Sequence, residues 1–341
     1  MASTSSPTTV PSLQAPWSDR AVQRYVEGLD PAERVGSRHH ITPRFYLARF
    51  SERDQVLVRD REDGTVTVRN IDDLAVRDFY TAVHAEGFLD ARLETLFGVV
   101  EKETSELLRW RLSSFARALP FTRDERQLLD HFVATQMLRG ARTRRLVENI
   151  ADAYMKIVHE PDLAHEDLDS LEFVPHQNEH IATFASIAPQ VDANLSRRPA
   201  FLVRIDHPGF VTCDEPVLLA TSIQGTHREV LAHAQGLNDA ESILLPLSPT
   251  MLLAYGPPGP GGCGVPVILR GAEAKELSED VGDLVANAAY RWLIAHPANT
   301  AIRTRKMPPL GPLLTVAGGR RTTFVSPRPT RRPLRSRPVR P

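Results

Sequence analysis

RHHITPRFYLARFSERDQVLVRDREDGTVTVRN, residues 38–70, is the stretch from which the fold reading starts. Residues 55–60 and 65–70 alternate apolar and polar side chains around Glu62-Asp63-Gly64. An Asp-Gly turn between two alternating runs predicts a β-hairpin. Just ahead of it, residues 38–50 crowd together His39, His40, Pro43, several arginines and the aromatics Phe45, Tyr46 and Phe50. Adjacent histidines supply two imidazoles that titrate near neutral pH and can bind a metal or move protons.

Outward from the hairpin the period changes. Residues 89 to about 116 carry Leu93, Leu96, Val100, Leu107 and Arg111 along one helical stripe,. Pro120 interrupts, and Thr122-x-x-Glu125 is a capping box opening a helix through Leu128, Leu129, Phe132, Met137 and Leu138,. Gly140 marks a pause before Leu146, Ile150, Tyr154 and Ile157 extend a helix to about residue 159, where Glu160-Pro161-Asp162 stops it,. Another helix is predicted over 176–195, with Pro189 as a kink. Residues 201–205, 210–212, 242–245, 251–254 and 265–269 then read as short strands, and 272–295 as a final helix ended by Pro297,. This order predicts an α+β fold: an N-terminal β-hairpin, a central helical bundle, and a C-terminal short-stranded antiparallel sheet with a final helix. Residues 1–17 form a flexible arm, 18–300 a single domain opened by a helix capped by Ser18, and 301–341 a disordered Pro- and Arg-rich tail,.

The chain has 341 residues, 42% apolar and 24% charged, ordinary for a soluble globular protein,. Its net charge of −1 conceals an asymmetry. Residues 320–341 hold eight arginines and no acid, which leaves −9 on residues 1–319. Apolar runs are strand-sized, well below the roughly 18–20 residues of a membrane span. The first sixteen residues have no basic or apolar region of the signal-peptide kind,. Two cysteines, Cys213 and Cys263, are too few for a disulfide framework, so a reducing cytoplasm is the expected compartment; a single bridge between them stays open,.

His40-x-x-Pro43-x-x-Tyr46-Leu47 followed by Phe50-Ser51 resembles the opening signature of the bacterial DUF4238 family, whose function is unknown. The resemblance continues through Phe79-Tyr80, Glu94, Glu101, Gln136-x-x-Arg139, residues 212–217 (TCDEPV), Pro246-Leu247-Ser248-Pro249 and Asn287. It covers residues 38 to about 295, and implies fold and boundaries more than chemistry. Where the family usually reads Thr-Ser-Asp, this chain has Thr212-Cys213-Asp214, exchanging a hydroxyl for a thiol.

Several side chains are candidates for chemistry. In an extended segment His39 and His40 face opposite sides; His40, which matches the family motif, is either a metal ligand or a ring bonded to a carbonyl. Glu94 and Glu101, seven residues apart, share a helix face. They suit metal binding or acid–base work, or ion pairs with Arg139 or Arg142. Arg139, one turn from Gln136, is either a clamp for phosphate or carboxylate or the partner of those glutamates. Asp214, after a strand, is a ligating or catalytic acid, or an ordinary turn residue. Cys213 would point into the core, with acids nearby that raise a thiol pKa, so a cysteine protease is excluded. His176-x-x-x-His180 has metal-competent spacing but not the H-E-x-x-H order, and reads as a hydrated surface pair. No G-x-G-x-x-G, Walker A or G-x-S-x-G is present, and the GPPGPGGCG run at 256–264 lacks the lysine and helix of a phosphate cradle.

Two functions compete. In the first, His40, Glu94, Glu101 and Asp214 bind a divalent metal that activates water to hydrolyse a phosphodiester of nucleic acid or a nucleotide. His40 and Asp214 are ligands, one glutamate is a ligand and the other the general base, and Arg139 stabilises the anionic transition state. In the second, the same residues form a buried network in a non-catalytic module that binds a ligand or partner, in a bacterial defence or stress system. The basic tail offers nonspecific contact to nucleic acid or anionic lipid.

Overall fold

The structure, a computed structural model, describes residues 39–74, 76–77, 82–83, 89–90, 92–113, 120–159, 173, 175, 177–225, 229–234, 236–310, 314–318 and 321–325. The arm, the Ser18 helix, Phe79-Tyr80, His176 and the arginines beyond residue 325 lie outside the described residues.

Strand β1 (His39–His40) is short because Pro43 starts a helical turn, α1 (Arg44–Leu47), continued by a 3-10 turn at Ala48–Phe50. The predicted hairpin is present as β2 (Gln55–Asp60) and β3 (Val66–Asn70), with Leu57 opposite Val68 and Gly64 at φ 70° in the left-handed region its turn needs,. Short β4 (Val76–Arg77) pairs with β1, and β5 (Ala82–Val83) with β6 (Leu89–Asp90).

Four helices follow: α2 (Arg92–Ser113), α3 (Arg123–Leu138), α4 (Ala141–His159) and α5 (Gln177–Ser196). The capping box holds as read: Glu125 N–H donates to Thr122 Oγ1 at 3.3 Å and Thr122 N–H to Glu125 Oε2 at 2.7 Å,. Pro189 lies inside α5.

The strands β7 (Pro199–Ile205), β8 (Thr212–Cys213), β9 (Leu218–Gln224), β10 (Glu229–His233), β11 (Ser242–Ser248), β12 (Met251–Tyr255), β13 (Gly262–Cys263) and β14 (Val267–Leu269) come next, then α6 (Gly271–Ala288) and β15 (Trp292–Ala295). Seven strands form one sheet in the order β10-β9-β11-β12-β7-β13, with β14 also on β7; the last two run parallel to β7 rather than antiparallel. A second sheet has the order β3-β2-β15-β8. The fold is α+β, and the hairpin is half of a sheet completed from the far end of the domain.

The central strands of both sheets are buried on two faces. Along β11, Ile243, Leu245 and Leu247 join the core under α2, α3 and α5, while Leu244 joins the core under α6. In β2, Val56 and Val58 enter the first core and Leu57 the second. Two expectations change here. The last helix ends at Ala288, not 295, because Trp292, Leu293 and Ile294 are needed as the strand between β2 and β8. Beyond residue 300 the expected disorder gives way to a 3-10 turn at Thr300–Arg303 and an antiparallel pair, β16 (Leu314–Gly318) and β17 (Arg321–Val325).

The C-terminus of α5 is fastened by two buried arginines. Arg198 donates to the carbonyls of Ala240, Gly256 and Leu237 at 2.9–3.0 Å, and Arg126 to those of Leu195, Arg198 and Gly262 at 2.6–2.8 Å. Cations are favoured where helix carbonyls run out of partners.

Candidate functional site

The family-like motifs meet at a junction between the two sheets. The Tyr46 hydroxyl donates to Pro246 O at 2.5 Å and lies 2.7 Å from Thr212 Oγ1. Thr42 Oγ1 donates to Asp214 O at 3.3 Å. The opening signature thus bonds both later motifs, through buried groups whose loss would leave polar atoms unsatisfied.

Asp214 turns the chain into β15. Its Oδ1 accepts the Tyr290 N–H at 2.8 Å, and its Oδ2 accepts those of Arg291 and Trp292 at 2.8 and 3.3 Å. Burial pushes its pKa to about 6, and these three donors hold it from going higher,. Glu215 reaches the other way and accepts the Arg142 N–H at 2.8 Å, at the first turn of α4. Burial, then the Asp214 charge, raises it to about 8 against the pull of the Arg142 and Ala141 amides. Gly140 leaves the room the Glu215 carboxylate occupies, and a Cβ there would force that side chain to move. Cys213 is fully buried and its thiol donates to Glu215 O at 3.1 Å; burial and Asp214 raise its pKa well above the ordinary value, so it is inert,. No bridge forms, as Cys213 and Cys263 are both free thiols.

The sign of the pH effect follows. Glu215 releases its proton near 4.5 when unfolded and near 8 when folded, so the native state holds more protons in between, and stability falls as pH rises across that window,. The Glu215→Gln variant lacks this term. Thermal unfolding from pH 5 to 8.5 is expected to show the wild type losing melting temperature relative to the variant as pH rises. A constant difference would refute the assignment.

Around this junction runs a layer of buried charge. Arg139 bonds Glu101 at 2.5 Å and covers the Phe97 ring at 5.1 Å. Glu94 is buried on α2, and the Gln136 side chain is buried on α3. Arg144 and Arg145 bond Glu148 at 3.0 and 2.7 Å, with His180 Nε2 3.7 Å from the same carboxylate. His180 is buried and therefore not the surface residue expected; burial, then Arg144, lowers its pKa to about 3 and keeps it neutral.

Of the residues expected to share a metal, the structure joins Glu101 to Arg139 and brings the segment carrying His40 to Asp214 through Thr42. The His40 side chain lies outside the described residues. Among the described residues, no three His, Cys, Asp or Glu side chains are grouped to hold a metal ion, and Asp214 and Glu101 already have the partners given above.

A second polar site was not legible as one in the sequence. A cleft of about 830 Å³ opens between α3, α5 and β13, lined by Phe121, Arg123, Gln127, His131, Asp192 and Cys263 among others. His131 is only 7% exposed, with Nδ1 2.8 Å from Asp192 Oδ2 and Nε2 3.5 Å from the Gln127 amide nitrogen. The Asp192 carboxylate accepts from the Nδ1 side of the ring and holds its orientation,. Beneath them Arg126 bonds Asp130 at 2.7 Å and lies 4.9 Å over the Tyr255 ring. Burial raises the Asp130 carboxyl, and Arg126 opposes the rise. The available signal was polar Arg126, Asp130 and His131 interleaved with Leu129 and Phe132 on one helix; Asp192, sixty-one positions after His131, is joined only by tertiary structure.

A family model described as "Protein of unknown function (DUF4238)" matches residues 38–299. No curated protein and no solved structure matches the chain.

Proposed function

The chain belongs to the DUF4238 family, and from that premise we propose that it is a ligand-binding protein whose working site is the cleft between α3 and α5. The family-like polar residues hold the fold around that cleft. The observation carrying this reading is the division of labour between the two polar regions. Asp214, Glu215 and Glu101 are bonded to backbone amides or to Arg139, whereas the cleft is large and lined by a His–Asp pair and an amide. Sites of this size, with a few convergent polar groups, are typical of small ligands.

Arg123 is exposed at the cleft and makes no ion pair among the described residues. Phe121 and Pro189 supply apolar wall. The fitting ligand is small and part apolar, with one negative charge for Arg123. Ligand-induced thermal shifts with a panel of small carboxylates and phosphates are the test. A binder at a hundredfold excess over its Kd stabilises by about 2.7 kcal/mol. Ala193→Trp, which fills the cleft from α5, is expected to abolish the shift; a panel without any shift sinks the reading.

The metal-dependent phosphodiester hydrolase retains one supporting observation, the Thr42–Asp214 bond that draws the histidine segment to the buried acids. That reading requires near-stoichiometric divalent metal in the purified protein, lost in His40→Ala. Elemental mass spectrometry separates the two functions. Two free thiols accord with a reducing cytoplasm,, and among the described residues no helix is long and apolar enough to cross a membrane. The arginines beyond residue 325 suit nonspecific contact with nucleic acid on charge alone.

A further inference from the structure

We propose that the outward face of α4 docks on an anionic lipid surface, held there by its apolar stripe together with the arginines that follow β17. The amphipathicity of α4 is inverted. Its charged residues turn inward. Arg145 and Glu148 are buried and bonded at 2.7 Å, with Arg144 on the same carboxylate at 3.0 Å. Lys156 bonds Asp152 at 2.8 Å, and Asp152 also accepts the Phe173 N–H at 2.9 Å. Its apolar residues turn outward. Ile150, Tyr154 and Val158, at i, i+4 and i+8 on one face, are 42%, 62% and 45% exposed,. Every other residue from Arg145 to His159 is buried or half-buried, so no fully exposed charge flanks the stripe on this helix. A surface helix normally has the opposite arrangement, and an apolar patch left outside marks a place where something docks.

The neighbouring chain selects the occupant. β16 and β17 pack against α4, and the three side chains stay exposed with that pair in place. β17 ends at Val325, so the sequence that follows starts beside this helix; residues 326–341 hold six arginines and no acid. An apolar stripe next to a basic segment supplies the two signals that stable peripheral anchoring takes: shallow burial of apolar side chains at the headgroup boundary, and attraction to anionic headgroups. Tyr154, in the middle of the stripe, suits that boundary with an apolar ring and a polar tip. A second copy of the chain fits less well, because a two-fold contact across α4 would bring two sets of six arginines together,. Nucleic acid would engage the arginines through its phosphates and stack its bases on aromatic rings, which gives Ile150 and Val158 nothing to bury against.

The test is co-sedimentation of the full-length protein with vesicles of two parts phosphatidylcholine to one of phosphatidylserine. Binding is expected, weakening as salt rises, and is expected to be absent on pure phosphatidylcholine. Ile150→Gln with Val158→Gln keeps a good helix former and the same charge, and is expected to lower the affinity by about tenfold. Arg331→Gln with Arg332→Gln is expected to lower it by about thirtyfold, at about fivefold for each arginine near the surface. Melting curves establish that both variants are folded. Absence of binding to the mixed vesicles, or equal binding to pure phosphatidylcholine, overturns the proposal. Binding that the folded helix variant leaves unchanged does the same. Tighter binding to a random-sequence DNA duplex, insensitive to the helix variant, would make the arginines a nucleic-acid contact and refute the lipid surface. A dimer in sedimentation velocity that the helix variant dissolves would likewise replace it with a second copy of the chain.

Discussion

Gly140→Ala is expected to destabilise the protein by about 3 kcal/mol, enough to consume much of a typical domain's stability. Gly140 separates α3 from α4 and lies against the Glu215 carboxylate, where an added methyl group has no room. Something must move, and the side chain is more mobile than two helix ends. Moving it breaks the bond from Glu215 to the Arg142 N–H, leaving a buried amide and a buried carboxyl without their partners. Reseating the buried carboxylate strains its packing by about 1–3 kcal/mol, and the lost bond costs about another 1–3. Chemical denaturation measures the sum. The double variant Gly140→Ala with Glu215→Ala removes the overlap, so its loss should be smaller than the two single losses added. Additivity would show that the two residues do not meet.

Asp214→Asn is the second large effect, about 3 kcal/mol, and it is instructive because the change is nearly isosteric and removes a buried charge. If the charge itself were the burden, the variant would be more stable. The carboxylate, however, accepts from three consecutive amides, of Tyr290, Arg291 and Trp292, using both oxygens. An asparagine offers one acceptor oxygen and turns its NH2 toward at least one of those donors. Two donors facing each other in a buried turn cost about 1–3 kcal/mol per unsatisfied group. The entry to β15 should loosen, read by faster amide exchange at residues 290–292. A stability equal to wild type would mean that Asp214 is not the anchor of that turn.

The hairpin, the capping box, the break at Gly140 and the helix that ends at His159 were readable because each is set within a few residues: an Asp-Gly turn, a Thr-x-x-Glu pair, a glycine, a proline. Strands β9 and β10 were missed. In β9 only Leu218 and Ala220 are buried while Ser222, Ile223 and Gln224 are all exposed, and no residue of β10 is fully buried, so neither has the strict alternation of a half-buried strand,. The end of α6 was misread for a related reason. Residues 289–295 are as compatible with a helix as with a strand until β2 and β8 supply the edges between which they fit. The cleft stayed hidden because its His–Asp contact spans sixty-one positions. The bond between Glu101 and Arg139 was among the alternatives the spacing allowed; the amide partners of Asp214 were not, since nothing in a sequence marks which backbone groups a carboxylate will meet.

The order β3-β2-β15-β8 also dictates a schedule. The hairpin emerges from the ribosome early, yet its inner edge at Leu57–Asp60 waits for Trp292–Ala295, more than two hundred residues later. At roughly 5–20 residues per second that interval is on the order of ten seconds or more. Throughout it the nascent chain carries a strand whose Val56, Leu57 and Val58 are all destined for the interior, with an open row of amides and carbonyls beside them. Ribosome stalling or premature termination before residue 292 therefore does more than shorten the protein. It releases a fragment with an adhesive edge, and such fragments are natural clients for chaperones that recognise exposed strands.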